Sequence, residues 1–331
     1  KMKKNKVLIC GITGFIGRNI AERLIKRNDI QLFGTYFRSK PNKEFIKNKK
    51  ITLIKADLTN KNNVNEVVSG KDIIIQAAAV TTGAKDVVTR PYIHVTDNAV
   101  MNSLLFRSCF ENKVKHLVFF SCTTMYPNQN LPVKEEDFNH QIIDKYFGVG
   151  WTKVYIEKMC EFYSKISNTK YTVIRHSNIY GPYDKYDLER SHFFGATITK
   201  VLKTRDDPPA GEAGKISVWG DGSEKRDLLY VSDLVDFIEV VLRKQKEQFE
   251  LINLGLGSAY SVKDVINKII KISGKKIKLE FDTSKPTIKF NLAVNIGKAR
   301  RKYNWKPKVS LVEGIRRTIS WYEENILDEK N

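Results

Sequence analysis

The sequence predicts an α/β protein: a doubly wound parallel sheet with helices on both faces, and a smaller α/β lobe on its C-terminal side. Three observations carry this. A short apolar run, Val7-Leu8-Ile9-Cys10, passes straight into Gly11-Ile12-Thr13-Gly14-Phe15-Ile16-Gly17, and then into Arg18 to Arg27, where Ile20, Leu24 and Ile25 share one helical face. Strand and helix signals then alternate through the first half, the pattern that lays parallel strands between layers of helices. From Asn178 the texture changes to glycine, proline and polar residues, as a separate lobe laid across the strand ends requires.

The first element is strand, glycine turn and helix, with Gly-x-x-Gly-x-x-Gly spacing. Gly11 can take positive φ in the tight turn, Gly14 lets the backbone approach a pyrophosphate, and Gly17 lets the helix pack close to the strand. Thr13, Phe15 and Ile16 complete the loop. The helix N-terminus faces a phosphate with free N–H groups and a partial positive charge. An ordinary strand-to-helix turn can also hold three glycines. Its place after the first strand favours dinucleotide binding.

Gln31 to Phe37 reads as a second strand and Ile51 to Lys55 as a third. Asp72 to Ala78 is a fourth, with Ile73-Ile74-Ile75 buried on both faces. Asn98 to Phe110 has helical spacing, His116 to Ser121 is a fifth strand, Lys153 to Ile166 a long helix and Tyr171 to Arg175 a sixth strand. Ligands of such sheets sit outside the carboxyl ends of the strands, so the residues just after each strand matter most. In the second half Gly181 and Pro182 lead to Ser191-His192, and Pro208-Pro209 with Gly211 to Gly214 mark a loop. Ile216 to Trp219 is a short strand ending in the turn Gly220-Asp221-Gly222. Tyr230 to Leu242 is a helix returning to the first domain, Ser261 caps a helix running to Ile272, and Leu311 to Asn325 is the last helix. The expected division is a dinucleotide-binding Rossmann domain of residues 1–178 with 226–254, and a lobe of 179–225 with 255–331.

The chain has 331 residues, 41% of them hydrophobic, which suits a buried core. No apolar run approaches the roughly 18 residues of a membrane span. Lys1 to Lys6 leads straight into the first strand without a secretory pattern. Cys10, Cys109, Cys122 and Cys160 fit no zinc spacing, and Cys10 and Cys109 lie in apolar elements. The expectation is reduced thiols, no metal and a cytoplasmic location. The net charge of +20 could attract an anionic partner. The lysines are scattered, however, and no basic stripe carries interleaved aromatics of the kind that stacks bases. A lysine-rich surface is the simpler reading, and nucleic acid is not the expected partner.

The end of the second strand reads the cofactor's phosphate state. An NAD site usually presents an acid there. Here the chain runs Thr35-Tyr36-Phe37-Arg38-Ser39-Lys40. Arg38 and Lys40 suit a 2′-phosphate, or are solvated loop charges. The missing acid tips the expectation to NADP, with NAD possible. Asp57, after the third strand, suits the adenine amino group or the cap of the helix following Leu58.

With these residues in place, the chain resembles the extended short-chain dehydrogenase/reductase superfamily, in its nucleotide-sugar-modifying epimerase/dehydratase branch. The landmarks run from Val7 to about Pro307: the glycine triplet, Asp57-Leu58, Ala77-Ala78, Asn98, Ser121 to Pro127, Lys153, Arg175 to Pro182 and Arg226 to Asp233. Within the branch it is most similar to the GDP-L-fucose synthases, through Tyr126-Pro127, Ser191-His192 and Val218-Trp219-Gly220-x-Gly222 leading to Arg226. The resemblance implies cofactor contacts from Gly11, Thr13, Gly14, Phe15, Ile16, Gly17, Arg38, Asp57, Leu58, Ala77, Ala78, Asn98, Lys153 and His176. It implies nucleotide-sugar contacts, GDP-linked, from Asn178, Lys200, Trp219 and Arg226. Arg and Lys suit a pyrophosphate and Trp a base or ribose face. It also implies a homodimer built on the helices around Asn98–Phe110 and Lys153–Ile166. Their apolar content, Leu104, Leu105 and Phe106 on one and Ile156, Met159 and Phe162 on the other, suits that contact or burial against the sheet.

The departures concern catalysis. The family's signature is Tyr-x-x-x-Lys; the lysine is Lys153, but Val149 stands where the tyrosine belongs. In the family the phenol exchanges a proton at the sugar C4 oxygen while the nicotinamide exchanges hydride at C4. The family's serine or threonine falls on Cys122, with Thr123 beside it. The cysteine that works with a histidine in epimerisation falls on Thr124, and the histidine on His192. Tyr146, Cys122, His192 or an ordered water could give the missing proton. Two readings follow: an oxidoreductase or epimerase acting at or beside C4, or a redox-impaired homologue that epimerises without hydride transfer or only binds nucleotide-sugar and dinucleotide.

Overall fold

In the computed structural model, the described residues are 4–81, 89–129, 132–204, 214–285, 287 and 289–327. The strands are β1 (Asn5–Cys10), β2 (Ile30–Tyr36), β3 (Ile51–Lys55), β4 (Ile73–Gln76), β5 (His116–Ser121), β6 (Lys170–His176), β7 (Asn178–Tyr180), β8 (Gly214–Trp219), β9 (Lys225–Tyr230), β10 (Phe249–Leu254), β11 (Ala259–Ser261) and β12 (Ile277–Asp282). Seven form one sheet in the order β10-β6-β5-β4-β1-β2-β3, every pair parallel. Strand order reverses between β1 and β4, which opens a crevice at their carboxyl ends. The doubly wound sheet expected from the sequence is therefore present.

The helices are α1 (Phe15–Leu24), α2 (Lys43–Lys47), α3 (Lys61–Val68), α4 (Thr96–Glu111), α5 (Phe147–Ile166), α6 (Phe193–Lys203), α7 (Val231–Lys244), α8 (Val262–Ser273), α9 (Gly297–Tyr303) and α10 (Leu311–Tyr322). Alternation along each strand sends successive side chains to opposite faces. Val7, Ile9, Ile75, Val118 and Ile174 pack with Ile20 and Leu24 of α1 and Leu234 and Ile238 of α7. Leu8, Cys10, Ile74, Leu117 and Phe119 pack with Val64 of α3, Leu105 and Phe106 of α4, and Ile156 and Cys160 of α5. A third core, with Tyr180, Phe194, Ile198, Leu228, Val265, Ile315 and Tyr322, holds the lobe together. Its two small sheets run β11-β9-β7 and β12-β8.

Several boundaries differ from the sequence reading by a few residues, and two of the differences have a packing or pairing reason. The long helix starts at Phe147 rather than Lys153. Gly148 and Gly150 lower helix propensity there, but they are packing positions. A Cβ at Gly150 would lie 2.9 Å from Ile142, and one at Gly148 would lie 3.1 Å from Val95. Gly214, read as loop, opens β8 through its pairing with Ile277. The rest of that expected loop, Pro208-Pro209 and Gly211, lies outside the described residues. Ser261 caps α8 as expected, accepting from the Asp264 amide at 3.0 Å.

Candidate active site

The glycine turn builds the first half of the site. Gly11 sits at φ +74°, and a Cβ there would lie 2.8 Å from Ala78 Cα. A Cβ at Gly17 would lie 2.3 Å from the Gly11 carbonyl oxygen. Only glycine lets β1, the turn and α1 approach this closely while Ala77 and Ala78 close the other wall. The turn is pinned to β2, because the Gly11 amide donates to Thr35 Oγ1 at 3.0 Å and the Ile12 amide to Thr35 O at 2.9 Å. Gly14 caps α1 without a capping side chain, so the first helical amides, beginning at Phe15 and Ile16, face the crevice without helical partners. This cradle, which any side chain would fill, fits a dinucleotide pyrophosphate.

The cradle's far wall is held by Asn98. Its Oδ1 accepts from the Val80 amide at 2.9 Å, and its Nδ2 donates to the Val80 and His94 carbonyls at 2.9 and 2.8 Å. Below it, Gln76 donates to Asn102 at 3.0 Å, and Asn102 donates to Asn98 O at 2.7 Å. Asn98 thus shapes the loop after β4 with its whole amide. Asp57 accepts from the Thr59 amide and hydroxyl at 2.9 and 2.7 Å. The helix that follows is capped instead by Asn60, whose Oδ1 accepts from the Asn62 and Asn63 amides. Leu58 is buried beneath this turn. Arg38 is exposed past β2, with its guanidinium 5.8 Å from the Phe37 ring.

A strap crosses this half. Pro182 O accepts from Asn19 Nδ2 at 2.9 Å, the Arg18 guanidinium lies 3.6 Å from the Tyr183 ring centre, and Lys185 Nζ donates to Thr81 O at 2.7 Å. Residues 182–185 therefore run from α1 to the loop after β4. Tyr183 holds φ +69°, a costly conformation for a bulky residue.

The second half lies past β5 and β6. Lys153 Nζ donates to Phe120 O at 2.8 Å and lies 4.7 Å from the Phe119 ring centre. Burial holds its ammonium below the usual lysine range, opposed by Cys122 and Glu157 nearby. Val149 lies one turn earlier on the same helix. Cys122 Sγ and Thr124 Oγ1 share a hydrogen bond at 2.9 Å, while Thr123 is buried. His176 Nδ1 lies 2.7 Å from Ser177 O. The carbonyl can only accept, so Nδ1 carries the proton. Burial pushes the imidazole down to about 4, and Lys153 and His192 add to the effect. His192 caps α6 and lies within the electrostatic reach of His176 and Lys185.

Tyr146 was weighed in the sequence only as a stand-in donor. It caps α5, and its phenol interacts electrostatically with both Arg226 and Cys122. Lys153, Cys122, His176, His192, Tyr146 and Arg226 thus form one linked group. Asn178 is bound to backbone, donating to Asp227 O at 3.1 Å. Lys200 donates to Ser217 O at 3.2 Å and Trp219 is 43% exposed, both supported by β8. Arg226 donates to the carbonyls of Lys225 and Phe290.

Two supporting groups escaped the sequence reading. Glu157 pairs with Arg175 at 2.7 Å, both side chains about 95% buried. Ser121 donates to Glu157 at 2.5 Å, and Arg175 donates to Tyr126 Oη at 3.0 Å, which donates to Asn253 at 2.6 Å. Asp227 gathers the amides of Leu256, Gly257 and Val294 at 2.7, 3.1 and 3.1 Å. A charged residue inside an apolar strand, such as Arg175, was the available signal. Among the described residues no cluster of metal-ligating side chains occurs, and no helix is long and apolar enough to cross a membrane.

The model of the NAD dependent epimerase/dehydratase family matches residues 7–255. GDP-L-colitose synthase of Yersinia pseudotuberculosis is 28% identical over 334 residues, covering 98% of this chain and 99% of the relative. GDP-L-fucose synthase of Sinorhizobium fredii is 28% identical over 286 residues, covering 83% and 87%. UDP-glucose 4-epimerase of Thermotoga maritima, solved with UDP-glucose, superposes with a TM-score of 0.84 at 22% identity over 97% of this chain and 99% of that one. UDP-glucuronic acid 4-epimerase of Bacillus cereus, solved with UDP-glucuronic acid and NAD, superposes at 0.83 with 24% identity over 96% and 99%.

Proposed function

This chain belongs to the NAD dependent epimerase/dehydratase family, and on that premise we propose an enzyme acting at or beside C4 of a GDP-linked sugar. The observation that supports this is that the glycine cradle and the group around Lys153 both lie at the carboxyl ends of strands of one parallel sheet. The linkage to GDP is supported by the relatives named as GDP-L-colitose and GDP-L-fucose synthases. In the proposed division, residues 1–178 with 226–254 hold the dinucleotide and 179–225 with 255–331 hold the nucleotide-sugar. Phe15, Ile16 and Gly17 offer amides to the pyrophosphate, and Ala77 and Ala78 line the wall. The bound nicotinamide supplies or stores hydride. Lys153 steadies the ribose side from its anchor on Phe120 O. Neutral His176 presents Nε2 as an acceptor. Cys122 and His192 would offer a thiol and an imidazole to move a proton at the carbon beside a carbonyl. Arg226 and Lys200 offer positive charge to the diphosphate and Trp219 an aromatic face. The absence of an acid between Tyr36 and Lys40, with Arg38 among them, supports NADP over NAD.

One observation favours a second reading. Val149 occupies the turn of α5 before Lys153, and valine has no proton to give. In that reading the protein exchanges protons beside a carbonyl without hydride transfer, or binds without turnover.

The test is a titration with NAD(H) and NADP(H), then incubation with 4-keto GDP- and UDP-sugars in deuterated water. Tighter NADPH binding, lost in Arg38→Ala, supports the cofactor assignment; equal affinities refute it. NADPH oxidation with a GDP-sugar supports the enzyme reading. Deuterium uptake without oxidation favours the second.

A further inference from the structure

We propose that Tyr146 is the catalytic phenol of this enzyme, reaching the site from the cap of α5 in place of a side chain at position 149. The inference rests on the functional reading above.

The helix geometry allows it. Tyr146 is the residue just before the first turn of α5, and Val149 lies between it and Lys153 along the helix. The cap position is fixed: the Tyr146 amide donates to Ile143 O at 2.8 Å. The ring is fixed too, meeting the buried Phe290 edge-on at 5.7 Å and 84°. The same Phe290 accepts from Arg226 through its carbonyl, so one residue positions both the phenol and the guanidinium beside it. The hydroxyl lies within electrostatic reach of Arg226 on β9 and of Cys122 after β5.

Two neighbouring donors are committed elsewhere. Tyr126, nearest in the β5 loop, is fully buried, with its hydroxyl held by Arg175 and Asn253. Lys153 is anchored on Phe120 O. Burial holds the pKa of the Tyr146 phenol above the usual tyrosine value, Arg226 opposes this, and Cys122 adds to it. Arg226 therefore stabilises the phenolate. In the oxidising direction, Tyr146 Oη takes the proton of the C4 hydroxyl as the C4–H electron pair leaves as hydride to a nicotinamide. In the reducing direction it returns that proton to the C4 oxygen as hydride arrives.

The test compares wild type, Tyr146→Phe, Val149→Tyr and the double variant, with Arg226→Gln as a spectroscopic control. Tyr146→Phe keeps the ring on Phe290 and should leave cofactor affinity unchanged. It should lower kcat by about 10²–10⁴-fold, the usual range for general acid–base catalysis. Val149→Tyr in that background should recover at least about tenfold of it. In protein without cofactor, the tyrosinate absorbance difference between wild type and Tyr146→Phe should show one phenol whose midpoint rises in Arg226→Gln. Full turnover in Tyr146→Phe, or a midpoint indifferent to Arg226, overturns the inference and leaves the functional reading intact. Wild type inert toward GDP- and UDP-sugars with either cofactor overturns both.

Discussion

His116 stands at the start of β5, 5% exposed, with Nε2 2.8 Å from Thr172 Oγ1. Burial pushes its imidazole from 6.5 down to about 4, and Lys170 adds to the shift. Above pH 6.5 the ring is neutral folded or unfolded, and its contribution to stability is complete. As pH falls from 6.5 toward 4 the unfolded chain takes a proton that the folded chain refuses. Stability should drop by about 1.4 kcal/mol per pH unit in that window. His176 and His192 are shifted in the same direction, so His116→Gln should keep about two thirds of the histidine-linked dependence. Urea midpoints at pH 7.5, 6 and 5 measure it, and parallel curves for the two proteins would contradict the assignment. Asn98 makes a second case at this scale. Asn98→Ala would remove the partners of the part-buried Val80 amide and carbonyl, at about 0.5–1.5 kcal/mol for each hydrogen bond. Cofactor affinity, read by fluorescence titration, should weaken with the loop it holds. A variant that binds as tightly as wild type would show the loop to be held by something else.

Among the elements, β5, α5 and β6 stand or fall together, because Ser121, Glu157 and Arg175 join them through one buried pair. Arg175→Met strands the Glu157 carboxylate and should cost about 3–5 kcal/mol, whereas Glu157→Leu with Arg175→Met should cost far less. Denaturant unfolding of the three proteins tests it; equal losses in single and double variants would mean the pair is not the cause. The contrast also marks what the sequence could say. The cradle was legible because Gly11, Gly14 and Gly17 act over one turn, and local chemistry fixes their use. β5 was legible to the residue because its apolar run is continuous. Arg175 announced a need for a partner, but Glu157 lies on another element and only packing selects it. The start of α5 was hidden by two glycines whose reason, Ile142 and Val95, is likewise tertiary. Tyr146 was visible as a phenol near the right helix. Its neighbours Phe290 and Arg226 come from the distant lobe and from β9. The backbone partners of the Asn98 and Asn178 amides are likewise tertiary and have no mark in the sequence.

For the whole molecule, the expected homodimer changes its supporting residues. Leu105, Phe106 and Ile156 are consumed by the core. On the outer faces of α4 and α5, Val100, Tyr155, Phe162 and Ile166 are 39%, 52%, 55% and 49% exposed. Apolar residues clustered at this exposure are characteristic of an interaction site. Light scattering at micromolar concentration should return twice the 38.1 kDa chain mass, and Phe162→Glu should halve it. A monomer mass for wild type rules the pairing out. The strap of residues 182–185 bears on time rather than on affinity. A dinucleotide lying between α1 and the loop after β4 is expected to leave more slowly while the Asn19, Arg18 and Lys185 contacts hold. An enzyme that hands hydride back to the same sugar gains from a captive cofactor, since the oxidised and reduced halves of its cycle need one molecule. An enzyme that makes a net reduction must release it every turnover. The dwell of bound nicotinamide, followed by displacement in wild type and Arg18→Ala, would therefore tell which of these two rhythms the strap was shaped to keep.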